Sequence, residues 1–250
     1  MFLFEKHKRG PILRALKQAS RATVVSEELK THLLGVGIDH DGVTVIRNGV
    51  NKQLFFPRDQ TESKTILGLP QNGPCVLFVG RLAEEEEKGL RYLIEAFQEL
   101  VGGKKQLTLY VVGGGPMLPT YHELVRHQGL QEHIQFVGPK PHQDIPLWLG
   151  ACDVFCLPSL REGCPNVVLE ALSCGRPVVA SKVGDIPNLI GKANGMLVEP
   201  GNSHHLCKAL DIALTRKWDQ VEICGSVGTL TWDTAASQYY SVLLGACSDV

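Results

Sequence analysis

The stretch Glu162–Gly175, EGCPNVVLEALSCG, decides the fold and the chemistry. Two glutamates, Glu162 and Glu170, enclose Gly163, Pro165 and Asn166. In one unbroken helix their carboxylates would lie about 12 Å apart along the axis and about 80° apart around it. Gly163 and Pro165 argue against that arrangement, because proline is tolerated in the first turn of a helix and not in its interior. The helix therefore opens at Pro165 or Asn166, with Cys164 just ahead of the proline or Asn166 as the cap. Gly175 closes it in the left-handed conformation. Glu162 then falls on the loop before the helix and Glu170 on its second turn. Val167, Val168, Ala171 and Leu172 form a core stripe at helical spacing. Asn166, Glu170 and Ser173 share another face. The N–H groups at the helix start form an anion site. The two carboxylates beside it repel phosphate but accept hydrogen bonds from sugar hydroxyls. The ligand that fits both is a nucleotide sugar, with its diphosphate at the helix end.

Outward from this stretch, strands and helices alternate. Near-continuous apolar runs predict strands at 75–79, 107–112, 134–137, 154–157, 177–181 and 196–198. Helices are expected at 89–101, 117–128, 143–151, 165–174, 185–190 and 203–216. Such runs suit a parallel sheet covered on both faces, and the alternation predicts a doubly wound, Rossmann-like α/β domain over 75–228. Ahead of it, 22–26 and 43–47 read as strands flanking a helix at 27–34 capped by Ser26, and the basic segment 1–20 reads as a solvated helix. Residues 58–74, polar and punctuated by proline and glycine, read as a linker. Residues 229–250 read as a terminal helix.

In a doubly wound sheet the ligand lies at the carboxyl ends of the strands. Each predicted strand there ends in something polar or glycine-rich. Gly80-Arg81, then Lys88-Gly89, place two cations that can clamp a diphosphate. Gly113-Gly114-Gly115 allow close backbone approach. Gly138-Pro139-Lys140, Pro158-Ser159 and Val183-Gly184-Asp185 follow. Singly each is more often structural; together on one edge they make Gly115, Gly138, Lys140 and Ser159 candidates for donor binding.

The 250 residues carry a formal net charge of −1, which gives no general attraction to nucleic acid or an anionic membrane. Eight cysteines without a CxxC pair read as free buried thiols of a reducing cytosol. The opening MFLFEKHKRG has too short an apolar run for a signal peptide or a span, so a cytoplasmic location with at most peripheral membrane association is expected. No Walker loop, G-x-G-x-x-G after a strand or nucleophile elbow is found. His122, His127, His204 and His205 lack the framework of a zinc site.

These residues resemble a known family. GRL…KG at 80–89, VVGGGP at 111–116, FVG at 136–138, DVFCLPS at 153–159, EGCPNVVLEALSCGRPVVAS at 162–181 and GMLVEPGN at 195–202 look like the retaining, nucleotide-sugar-dependent glycosyltransferases of the GT-B fold, family 4, the glycosyl transferases group 1. The resemblance implies that Arg81 and Lys88 neutralise the donor diphosphate. It implies that Glu162 meets hydroxyls of the transferred sugar, and that Glu170 holds the nucleoside ribose. The backbone of Gly163, Cys164, Pro165, Asn166 and Val167 would cradle sugar and phosphate, and Gly138 to Lys140 would lie beside the base. It implies a UDP or GDP sugar as donor, no metal or other cofactor, front-face attack rather than a covalent intermediate on Glu162, and a role in polysaccharide biosynthesis. The partners implied are the nucleotide sugar and a glycan or lipid acceptor. Two departures stand out. The loop between Arg81 and Lys88 is about two residues longer than usual and carries four glutamates, expected to face solvent. The front is short: 1–57 reads as the incomplete tail of an N-terminal acceptor domain, which brings in a separate acceptor-domain polypeptide as a further partner and a donor-binding module inactive alone as the alternative function.

Overall fold

The computed structural model describes residues 6–38, 42–83, 87–103 and 106–248. In chain order the first elements are α1 (Lys6–Gln18), β1 (Ala22–Val24), α2 (Glu27–Gly35), β2 (Val43–Val45), α3 (Gln60–Ile66) and β3 (Cys75–Val79). Then come α4 (Leu90–Leu100), β4 (Thr108–Val112), α5 (Leu118–His127), β5 (Ile134–Gly138), α6 (Ile145–Ala151) and β6 (Val154–Leu157). The chain ends with α7 (Asn166–Ser173), β7 (Val178–Ser181), α8 (Ile186–Leu189), β8 (Gly195–Val198), α9 (Ser203–Thr215), α10 (Gln220–Gly225) and α11 (Trp232–Ser248).

The chain divides into two compact units, one of Val50–Gly228 and one of Met1–Gly49 with Thr229–Val250. In the smaller unit β1 and β2 pair in parallel. Leu33, Ile38 and Val43 form its core, with Leu13, Leu16, Ala22, Val24 and Val36 packed against them. Ser26 caps α2 as expected, its hydroxyl accepting from the Leu29 amide at 3.2 Å.

The larger unit is a six-stranded parallel sheet in the order β5-β4-β3-β6-β7-β8. Every residue of β6 and β7 is buried, as a sheet covered on both faces requires. On α4 the buried Leu90, Leu93, Ile94 and Phe97 recur at helical spacing and give the helix its core-facing side. The order reverses at β3 and β6, which are neighbours in the sheet. Loops leaving the carboxyl ends of these two strands turn away in opposite directions, and the crevice between them is where such folds bind ligands.

Two segments differ from the sequence reading. The span 58–74 contains α3, so it is no plain linker. The Asp59 side chain accepts from the Glu62 amide at 2.8 Å, which supplies the missing helix cap. The helix is drawn onto α6 because Gly150 has no side chain: a Cβ there would lie 2.5 Å from Ser63 Oγ. A second unexpected helix, α10, opens in the same way, with Asp219 accepting from the amides of Val221 and Glu222. The terminal helix runs to Ser248, and its segment clusters with the first 49 residues rather than standing apart.

Candidate functional site

The helix after β6 opens as its proline dictates. Pro165 takes an extended conformation as N-cap and α7 begins at Asn166, leaving Cys164 and Pro165 buried and Asn166 exposed. Pro165 itself offers no side-chain hydrogen bond to this end, which follows directly on the loop that carries Glu162. Gly175, at φ 69°, ends the helix in the left-handed region. Of the face shared by Asn166, Glu170 and Ser173, the first is exposed and the other two are buried. Glu170 is 9 % exposed and Ser173 1 %, and the Ser173 hydroxyl donates to the Phe55 carbonyl at 2.7 Å. Val167 is half-buried, and Leu169 takes its place among the fully buried residues. Spacing alone could not show this, because a helix enclosed on all sides buries its polar residues too.

Glu162 is the centre of the site. Its side chain is 8 % exposed and pairs through Oε1 with Lys88 Nζ at 2.6 Å. Ser159, fully buried, donates its hydroxyl to the same Oε1 at 2.6 Å. Lys88 comes from the loop after β3 and Glu162 from the loop after β6, so this ion pair spans the point where the strand order reverses. The sequence reading gave Lys88 to a phosphate, Glu162 to a sugar and Ser159 to the donor; the structure brings all three together on one oxygen. Arg81 is exposed just past β3. Glu84, Glu85 and Glu86 lie outside the described residues. Glu87 does not face open solvent: its carboxylate sits 3.6 Å from Arg161 and its carbonyl accepts from the Leu160 amide at 2.7 Å.

The remaining candidates line the same edge. The Gly163 carbonyl accepts from the Asp185 amide at 2.7 Å, which fixes the Glu162–Gly163 turn on the loop after β7. Gly138 ends β5, its carbonyl accepting from the Gly113 amide at 3.0 Å. Lys140 is exposed, its Nζ 6.0 Å from the centre of the Trp148 ring. Gly115 has a structural reason for its identity: a Cβ would lie 2.2 Å from the Leu82 carbonyl oxygen. Among the described residues no group of three or more His, Cys, Asp or Glu is placed to hold a metal ion, and no helix is long and apolar enough to cross a membrane. All eight cysteines are free; six are buried, Cys224 is half-buried and Cys247 exposed.

Glu170 has one partner that the sequence did not reveal. His142, on the turn after the Gly138–Lys140 loop, places Nε2 2.8 Å from Glu170 Oε1. Burial pushes the Glu170 carboxyl up from the ordinary carboxylate range, and the hydrogen bond from His142 draws it partly back. A carboxyl raised in the folded state costs stability once it ionises there. That cost is absent below the unfolded value, about 4.3, and grows as pH rises through the folded value. Glu170→Gln is therefore expected to melt at a higher temperature than the native chain at pH 7.5. The gap should narrow toward pH 4; a gap independent of pH would show that burial of the charge is not its source.

The comparisons follow from this geometry. The family model described as Glycosyl transferases group 1 matches residues 73–216. The 2-deoxystreptamine glucosyltransferase of Streptomyces kanamyceticus is 32 % identical over 201 residues, which are 78 % of this chain and 51 % of that protein. The sucrose-phosphate synthase of Thermosynechococcus elongatus superposes with a TM-score of 0.85 at 26 % identity, over 98 % of this chain and 63 % of that one. Anabaena Alr3699/HepE, solved in complex with UDP, superposes with a TM-score of 0.86 at 24 % identity, over 97 % of this chain and 68 % of that one. The chain spans about half the length of the curated relatives it matches. A six-stranded parallel sheet with GT-B architecture and a family match over more than half of the residues lead to one conclusion: the chain belongs to the glycosyl transferases group 1.

Proposed function

We propose that the larger unit holds the nucleoside diphosphate of a sugar donor, and that the whole protein transfers a hexose from it, with retention, to a glycan or lipid acceptor. The observation that carries this reading is the Lys88–Glu162–Ser159 cluster on the loop that leads into α7. A lysine has three N–H donors. Lys88 spends one on Glu162 and turns the others, with exposed Arg81, to the diphosphate. The cations and the helix start stabilise the charge that builds on the leaving diphosphate. Glu162 keeps Oε2 for a hydroxyl of the sugar. Its other oxygen already takes two donors, which suits a group that orients the sugar rather than one that attacks it. Glu170 accepts from the ribose, and Gly138 to Lys140 flank the base. The leaving phosphate assists removal of the acceptor proton during front-face attack. No residue here is assigned to a metal or to another cofactor. The relatives are glucosyl- and glycosyltransferases, which supports a glycosyl donor, and the Anabaena complex with UDP makes UDP the first nucleotide to try.

The second reading is a nucleotide-sugar-binding module that is inactive until an acceptor domain joins it. Calorimetry with UDP, GDP, ADP and their glucose or mannose forms tests what both readings share. One diphosphate should bind, and its sugar form at least as tightly. Glu170→Ala should weaken that binding by about 1–3 kcal/mol, the cost of an unpaired hydrogen-bonding group. Binding to none of the panel overturns the site.

A further inference from the structure

His142 stands outside every motif that marks this site, yet it holds the buried carboxylate assigned to the ribose. Its ring packs against Phe55, with centroids 5.1 Å apart and planes tilted by 53°. Phe55 is itself 1 % exposed and tied to α7 through its carbonyl, which accepts from Ser173. The imidazole is therefore clamped from one side by an immobile ring. From the other side it delivers Nε2–H to Glu170 Oε1. Exposure of the two side chains differs sharply, 63 % for His142 and 11 % for Glu170. The imidazole forms the rim over a carboxylate that solvent barely reaches. Among the described residues Glu170 Oε2 takes no hydrogen bond.

We propose that His142 is a positioning residue of the nucleoside subsite: it fixes the rotamer of Glu170 so that Oε2 is presented to the ribose hydroxyls. The proposal rests on the reading that Glu170 binds the ribose. The chemistry favours it in two ways. A glutamate side chain with one oxygen anchored has a single direction left for the other, so little rotamer freedom is lost when the ribose arrives. The hydrogen bond also opposes the upward push that burial gives the carboxyl, and an ionised oxygen is the stronger acceptor. His142 does this at the edge of the loop that ends β5, so the ribose and the base are addressed by one turn of chain.

The test is calorimetry on the full chain with UDP, GDP and ADP, each beside its 2′,3′-dideoxy counterpart, which lacks the hydroxyls that Glu170 would bind. For the diphosphate that binds, the native chain should prefer the ribose form over the dideoxy form. His142→Ala should lose about tenfold in affinity for the ribose form and little for the dideoxy form. His142→Gln, which keeps an N–H for Glu170, should recover part of the loss. A merely structural role would lower both affinities together, and that result overturns the proposal; so does an unchanged affinity in His142→Ala. If Glu170→Gln leaves the ribose preference intact, the ribose reading fails and the proposal with it. If Glu170→Gln abolishes the preference while His142→Ala does not, only the proposal fails. His142 is exposed enough for all these variants to fold, and a single cooperative thermal transition well above the assay temperature checks it.

Discussion

Lys88→Met is expected to destabilise the chain by about 1–3 kcal/mol, although it removes a residue from a surface loop. The reason lies in its partner. Glu162 is 8 % exposed, and without the ammonium it keeps, among the described residues, the Ser159 hydroxyl as its one donor. Breaking a fully buried ion pair from one side costs about 3–5 kcal/mol, because the surviving charge is left unpaired. Lys88 is 31 % exposed, so solvent reaches this pair and the cost is smaller. Glu162→Gln should cost less, about 1 kcal/mol, since the amide oxygen still accepts from Ser159 and the ammonium turns to water. The double variant should be nearly as stable as the native chain. Urea unfolding of the four proteins gives the coupling between the two positions directly. Additive effects would mean that the pair contributes nothing as a pair. All three variants should bind a nucleoside diphosphate sugar at least tenfold more weakly, so in this loop stability and binding come apart.

Gly184→Ala is expected to cost more, about 2–4 kcal/mol, and to remove donor binding along with it. Gly184 has φ +59°, where an alanine pays roughly 1 kcal/mol for a left-handed backbone. The added Cβ would also lie 2.4 Å from the Gly163 carbonyl oxygen and 2.6 Å from that of Glu162. Both obstacles are backbone, so no side chain can swing aside. The Glu162–Gly163 turn must shift, and Glu162 with it. Gly129→Ala is the control. Its φ is +69° with nothing within 4 Å of the added Cβ. It should lose only the backbone share, with donor binding intact. Equal losses at the two glycines would refute the contact as the cause.

How much of this was legible in the sequence depends on the range of the physics. The ends of β3 and β6 agree with their apolar runs to the residue, because a strand buried on both faces leaves an uninterrupted signal. The start of α7 was fixed by one proline. Two short helices were missed, α3 and α10. Both start with the same local pattern, Asp59-Gln60-Thr61-Glu62 and Asp219-Gln220-Val221-Glu222, in which the aspartate caps and the glutamate occupies the third position. For α3 the flanking Pro57 and Pro70 mask that signal, and α10, at 6 residues, is too short to show a helical apolar period. The charges were harder. Sequence placed Lys88 and Glu162 on one sheet edge but could not show that they meet, since 74 residues separate them. His142 carried no signal at all: its partner Glu170 is 28 residues away and the two belong to different motifs.

The Lys88–Glu162 pair has a consequence for how the protein acquires its site. One member belongs to the half of the sheet built from β3, β4 and β5, and the other to the half built from β6, β7 and β8. On the function proposed, each half carries only part of the donor site. During synthesis the first half leaves the ribosome with its lysine unpaired, and the second half brings the carboxylate only when β6 docks beside β3. Closing so distant a contact is among the slower events of folding. On the function proposed, donor binding would report completion of the whole sheet, and cutting the chain between β5 and β6 would turn the site into a sensor for the reunion of two fragments.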